Sequence, residues 1–179
     1  MTFLYNLKEK IGVEMKIYFI KSFLILFLIS FMVLSCTSAE KTTLNPDNEK
    51  QLVEKAIHSS IGWAKNKDLK LLYDVIWNDE NYLEVQPSKT VVKGFTEFKK
   101  SEAFWMNPNF KAVRYAIKDL KITFSKGGDV AWWYAILDDI NEWKGQPANW
   151  ENTRWTGVLE KLDGQWKIKQ MHFSFASEK

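Results

Sequence analysis

The sequence is poor in the residues that build metal centres and covalent crosslinks. It contains one cysteine, Cys36, and two histidines, His58 and His172, among 179 residues. A single cysteine excludes a disulfide within the chain, and two distant histidines predict neither a metal site nor a bound cofactor. The sequence also lacks a glycine-rich phosphate loop and a nucleophile elbow, which excludes the nucleotide-binding and hydrolase classes that depend on them.

An excess of one charge is lacking as well. The formal net charge is +3, and lysines and arginines form no dense cluster. Because nucleic-acid binding needs a basic patch, we expect no nucleic-acid partner. Aromatic residues, by contrast, make up 15% of the chain, and all nine tryptophans lie at or after Trp63. This content predicts an aromatic core, an aromatic pocket, or both.

The one long apolar run covers residues 22–35 and follows Lys16 and Lys21. It is shorter than the roughly 20 apolar residues that cross a bilayer comfortably, and it has the anatomy of a signal peptide. We therefore predict a signal peptide over residues 1–35, with Met15 as a plausible translation start.

The apolar run ends in a small residue followed by Cys36, which resembles a bacterial lipobox. Lipidation of Cys36 would leave residues 36–47, which are polar and aperiodic, as a flexible tether. The expected location is then the bacterial cell envelope, exported and bound to the membrane through the lipid. A plain signal peptide and an uncleaved short anchor are the alternatives.

Beyond the tether, apolar spacing predicts three helices before Pro108, and Asp47 or Asn48 is expected to cap the first of them. The period then changes from 3.6 to 2, and a phase change at Lys118-Asp119 predicts a β-bulge. Four long strands are predicted in hairpin succession: Phe110–Phe124, Val130–Trp143, Ala148–Lys161 and Gln165–Ala176. The fold class is α+β, with N-terminal helices on a strongly curved, mostly antiparallel sheet.

The element order, the Asn-Lys-Asp-Leu break at 66–69 and the ending TGVLEKLDGQWKIKQMHFSFA resemble the SnoaL-like family of the nuclear transport factor 2-like superfamily. The resemblance covers about residues 48–176 and implies a domain over 48–179. It also implies a cone-shaped fold with a pocket at the wide end, and often a dimer formed through the sheet. The superfamily contains isomerases, cyclases, hydrolases and dehydratases as well as binding modules without catalytic activity, so the fold alone leaves the function open.

Two hairpin turns predict the face that lines the pocket. If Lys144 pairs with Pro147, and Leu162 with Gln165, then Trp155 lies beside His172 on one face. Gly157 would leave room in the wall of the pocket. The short strand at Tyr82–Gln86 should add side chains from a neighbouring position. The predicted ligand-binding residues are Tyr82, Gln86, Tyr134, Glu151, Thr153, Trp155, Gln170 and Ser174.

Acid and base chemistry in this pocket would depend on Glu84, Asp138 and His172. A histidine that is merely hydrogen-bonded in the core is the alternative for His172. In the ketosteroid isomerases of the superfamily, the resemblance places the proton-shuttling acid at Glu84 or at Gln86. Two functions remain: a module that binds a small, partly apolar molecule, and a lyase, isomerase or cyclase that uses the same pocket.

The opposite face of the predicted sheet is too apolar to face water. We expect a second copy of the chain to cover it and form a homodimer, since an apolar patch of this size needs a partner. The predicted interface residues are Trp133, Leu137, Trp150, Met171, Phe173 and Phe175.

Overall fold

The structure, a computed structural model, describes residues 45–176. The predicted signal peptide, Cys36 and nearly all of the tether lie outside the described residues. Within residues 45–176, no helix is long and apolar enough to cross a membrane.

The described residues form two helices, two short strands, two further short helices and then the long strands, which follows the predicted order except that the third predicted helix is divided into two. The helices are α1 (Pro46–Gly62), a 3-10 turn (Trp63–Lys65), α2 (Leu69–Tyr73), α3 (Phe95–Lys100) and α4 (Glu102–Trp105). The strands are β1 (Leu83–Val85), β2 (Val91–Lys93), β3 (Phe110–Phe124), β4 (Val130–Trp143), β5 (Gln146–Pro147), β6 (Trp150–Leu162) and β7 (Gln165–Ser174).

Capping residues set the starts of the first two helices. The Asn45 side chain accepts a hydrogen bond from the Asp47 amide at 3.1 Å, and Pro46 occupies the first turn, where its missing N–H does no harm. The cap is therefore Asn45, and the expectation of Asp47 or Asn48 was wrong. Asp68 caps α2 through a 3.0 Å hydrogen bond from the Leu71 amide.

The strands form one sheet in the order β2-β1-β7-β6-β4-β3, with β5 paired to β4. Long hairpins make the sheet mostly antiparallel, and only β1 joins it parallel, alongside β7. The helices pack on one side of the sheet, which we call the inner face; the other side is the outer face. The architecture confirms the predicted α+β cone with a strongly curved sheet.

Bulges decide which side chains reach the inner face. The bulge expected at Lys118-Asp119 is present in β3, where Asp119 has a φ of 54°. Another bulge lies in β6, where Glu151 and Asn152 together oppose Asp138, and Asn152 has a φ of 50°. Each extra residue reverses the phase of the strand beyond it.

A bulge in β7 around Lys169 shifts the pairing of β6 with β7. Leu162 pairs with Gln165 as predicted, but beyond the bulge Trp155 pairs with Phe173, and His172 pairs with Thr156. The register prediction is therefore wrong on this stretch: Trp155 points inward, whereas His172 points outward. Neither this bulge nor that at Asn152 carries a glycine to mark it in the sequence.

Gly157 lies in β6 directly opposite Trp133 of the neighbouring strand, whose ring covers it. A β-carbon at this position would lie 2.0 Å from the Trp133 indole and 2.4 Å from the carbonyl oxygen of Gln170. The space above Gly157 is thus filled by the ring of Trp133 and forms no part of the pocket wall, contrary to the prediction.

Candidate functional site

A cavity of about 420 Å³ opens between the helices and the inner face of the sheet. This volume falls within the range of small-molecule sites. Its lining is mainly aromatic and aliphatic, with a few polar side chains. The aromatic lining residues are Trp63, Phe98, Phe104, Trp105, Phe110, Trp150 and Phe173. The side chains with oxygen or nitrogen atoms are Ser60, Glu84, Gln86, Ser101, Asp139 and Asn141.

Glu84 is the most deeply buried acid of the cavity, with 6% of its surface exposed. It sits on β1 between Tyr82 and Gln86, which point to the same side because strand residues alternate. The Tyr82 hydroxyl donates to one carboxylate oxygen at 3.1 Å, and the Gln86 amide donates to the other at 2.9 Å. Burial raises the pKa of Glu84, and the two hydrogen bonds offset only part of that effect.

Asp139 and Asn141 form a second polar group in the cavity, on β4. Burial also raises the pKa of Asp139, and the Asn141 side chain offsets part of that rise. Asn141 is 7% exposed, and its side-chain carbonyl oxygen has no hydrogen-bond partner among the described residues. An unpaired buried acceptor is costly, so this atom is available to a ligand donor. No group of three potential metal ligands occurs within residues 45–176.

The sequence prediction missed Asp139, Asn141 and Trp150 as cavity residues because it placed the odd-numbered residues of β4 and the even-numbered residues of β6 on the outer face. The one signal that could have revealed them is Asn152. Asparagine tolerates the left-handed conformation better than most residues do, and it is therefore a candidate bulge position.

Of the three predicted acid and base residues, only Glu84 lies in the cavity. Asp138 is on the outer face, where its carboxylate contacts Lys118 at 2.7 Å and accepts from the Asn152 amide at 2.9 Å. These contacts, that of Lys118 first, lower the pKa of Asp138. His172 also lies on the outer face, opposite Thr156. The predicted grouping of Glu84, Asp138 and His172 is therefore wrong, because the β6 and β7 bulges separate them.

The predicted ligand-binding residues divide into three sets. Gln86 lines the cavity, and Tyr82 supports Glu84 from behind. Thr153 and Trp155 point inward but are fully buried in the core. The remaining residues lie on the outer side or in the exposed β6 bulge, away from the cavity: Tyr134, Glu151, Gln170 and Ser174.

The prediction of which residues pair with a second copy of the chain is also wrong. Trp133, Leu137, Met171 and Phe173 are buried in the domain's own core, and Trp150 lines the cavity. Of the predicted interface residues, Phe175 alone is exposed, at 46%. The predicted interface face, Phe175 apart, is therefore covered by the domain's own core and cavity, and homodimerisation itself stays a prediction.

Comparisons with known proteins agree with this architecture. Residues 53–178 match the family model of the SnoaL-like domain. The chain therefore belongs to the SnoaL-like domain family. No curated protein sequence matches it significantly.

Solved structures of the nuclear transport factor 2-like superfamily share the fold. A proposed dehydratase from Streptomyces avermitilis superposes with a TM-score of 0.62 at 18% identity, covering 74% of this chain and 99% of that one. A superfamily protein from Salmonella enterica gives a TM-score of 0.61 at 16% identity, covering 74% and 94%. A proposed scytalone dehydratase from Novosphingobium aromaticivorans gives 0.59 at 13%, covering 73% and 89%. At these identities the likeness concerns the fold alone.

Proposed function

We propose that this chain is an exported, membrane-tethered SnoaL-like domain that binds a small, partly apolar molecule in the cavity between its helices and its sheet. The observation that carries the proposal is the cavity itself, whose aromatic wall surrounds a few polar groups. Such a composition suits a ligand with an apolar body, since the aromatic rings bury it while the polar groups fix its orientation.

The binding proposal is tested by native mass spectrometry of the full-length chain purified from its own host. We expect a mass excess that disappears when the protein is denatured. A chain that carries no small molecule after gentle purification, and gains none from a host extract, would contradict the proposal.

The tethering proposal rests on the apolar run that ends at Cys36. Replacing the cysteine, Cys36→Ser, should release the chain from the membrane fraction or leave its signal peptide uncleaved. Fractionation and intact mass of the mature protein are the measurements. An unchanged location together with an unchanged mature mass would rule out lipidation at this residue.

An enzymatic role is the second candidate, and the environment of Glu84 favours it. A buried carboxyl with a raised pKa can exchange a proton near neutral pH, and Tyr82 and Gln86 hold its two oxygens in place. Two of the proteins with this fold are described as proposed dehydratases. The retained molecule should then be converted by the wild type but survive in Glu84→Gln. A molecule that survives equally in both supports the binding role.

A further inference from the structure

The charged groups that line the cavity have one sign. Glu84 and Asp139 contribute carboxyl groups, and within the part of the chain that the structure describes no lysine, arginine or histidine lines the cavity. An anionic ligand would therefore meet two acids without a counter-charge. A cation would instead provide the opposite charge that both buried acids lack.

The charged groups of the cavity and its one unpaired buried polar atom are hydrogen-bond acceptors. The Asn141 carbonyl oxygen has no partner although Asn141 is 7% exposed. Each carboxylate oxygen of Glu84 accepts one hydrogen bond and can accept another. A ligand that satisfies these atoms must donate hydrogen bonds, and an ammonium group donates up to three.

The aromatic wall suits the same kind of head group. Trp63, Trp105 and Trp150 all line the cavity, and tryptophan is the side chain whose ring face attracts a cation most strongly. Charge, acceptor inventory and aromatic lining are three separate features, and each favours a positively charged donor.

We infer that the cavity takes an amphipathic organic cation, an amine with an apolar body, with its head group between Glu84, Asp139 and Asn141. This inference names the ligand class of the proposed binding site and rests on that proposal.

Protonation of the acids should oppose binding of such a ligand. The titratable groups that face the head-group position are Glu84, Asp139 and, behind Glu84, the Tyr82 phenol. The elements packed against them contribute Ser60 from α1 and apolar residues from the other helices and β7. Burial raises the pKa of both carboxyls, so both take up a proton at a higher pH than ordinary carboxyls do. The affinity for a cation should therefore decrease as the pH is lowered.

The test uses three probes with one apolar body and different head groups: 4-phenylbutylamine, 4-phenylbutan-1-ol and 4-phenylbutanoate. Calorimetric titration of the full-length chain at pH 7 should show the amine binding at least about tenfold more tightly than the alcohol, because a charge-assisted hydrogen bond and a cation–π contact exceed neutral contacts. The carboxylate should bind most weakly. As the pH is lowered from 7 toward the ordinary carboxyl range, the affinity for the amine should fall, whereas that for the alcohol should not.

Two adjacent residues provide a matched control. Asp139→Asn removes a negative charge inside the cavity, and Asp138→Asn removes one from the outer face at the next position. The preference for the amine should shrink several-fold in Asp139→Asn and in Glu84→Gln but not in Asp138→Asn. If Asp138→Asn reduced the preference for the amine as much as Asp139→Asn does, the preference would depend only on the net charge of the protein, and the inference would be overturned.

The remaining outcomes separate the two proposals. If the alcohol or the carboxylate binds as tightly as the amine, the cavity is a binding site and the ligand class is wrong. If none of the three probes binds, the inference fails, and the proposed binding function loses its support as well.

Discussion

Trp150 and Trp155 lie on the same side of the sheet, although five positions separate them and strand residues alternate. Both indoles pack against Phe173, with ring centroids 5.3 Å and 5.7 Å from its ring. The bulge at Glu151-Asn152 supplies the extra residue that brings both indoles inward. Trp155 is fully buried, whereas Trp150 lines the cavity, so one aromatic cluster connects the core to the candidate binding site.

Removing the buried indole should destabilise the fold. Trp155 is 0% exposed and contacts Trp133 as well as Phe173, so Trp155→Ala should lower the free energy of unfolding by about 3–5 kcal/mol. Denaturant titration measures this loss. The control is Trp132→Ala on the outer face, where the side chain is 46% exposed and the change should stay within about 0.5 kcal/mol. Equal effects of the two substitutions would contradict the burial assignment.

The β6 bulge should depend on the residue at position 152. Asn152 has a φ of 50°, a conformation that β-branched residues adopt with difficulty. Asn152→Val should therefore destabilise the domain by about 1–2 kcal/mol, while Asn152→Gly should be close to neutral. Denaturant unfolding of the two variants is the measurement. A valine variant as stable as wild type would show that β6 does not need this bulge.

Glu49 should make the domain sensitive to acid. Burial by itself raises the pKa of this carboxyl, but hydrogen bonds from Lys161 and Trp166, each 2.8 Å long, outweigh burial and hold its pKa below the usual value. A lowered folded pKa gives stability that is present above the unfolded pKa, about 4.3, and is lost as pH falls through the folded value. Glu49→Gln should lower stability at pH 7 by about 1–3 kcal/mol, since it removes hydrogen bonds to a charged group.

The measurement for Glu49 is stability against pH. The difference between wild type and Glu49→Gln should shrink as pH falls below about 4. A difference that stays constant from pH 7 to pH 3 would show that the charge of Glu49 is not what stabilises α1 against the sheet.

The effect of Glu84 on the pH dependence of stability should have the opposite sign to that of Glu49. Its folded pKa is raised by burial, so the folded state holds its proton more tightly than the unfolded state does. This contribution to stability is complete below the unfolded pKa and is lost as the pH rises through the higher folded pKa. Glu84→Gln keeps the shape and should therefore raise the melting temperature at pH 7 and change it little below pH 4. A lower melting temperature at pH 7 would mean that the hydrogen bonds from Tyr82 and Gln86 outweigh the burial of the charge.

The sequence predicted the fold well because the fold depends on patterns that extend over many residues, such as the period of the apolar positions. The period change near Pro108, the pairing of Leu162 with Gln165 and the β3 bulge were visible. The predicted pairing of Lys144 with Pro147 was wrong, since Pro147 pairs with Glu142, but neither this error nor the misplaced cap changed the predicted fold. The site depends on the phase of two strands, and one unpaired residue at Asn152 or Lys169 reverses that phase. Glu84 was found because β1 is short and contains no bulge. Asp139 was missed, and Asp138 was chosen in its place, because the bulge at Asn152 reverses the phase of β6 against β4.

The central claim is that the cavity between the helices and the sheet holds the ligand. The most direct measurement is the fraction of full-length chain that retains a small molecule in native mass spectrometry, compared among wild type and two tryptophan substitutions. Ala148 lines the cavity and is exposed, so Ala148→Trp should fill its entrance; Val158→Trp adds the same ring on the outer face. We predict that retention is lost in Ala148→Trp and kept in Val158→Trp. Retention that survives in Ala148→Trp, or is lost only in Val158→Trp, would place the ligand outside the cavity and contradict the account.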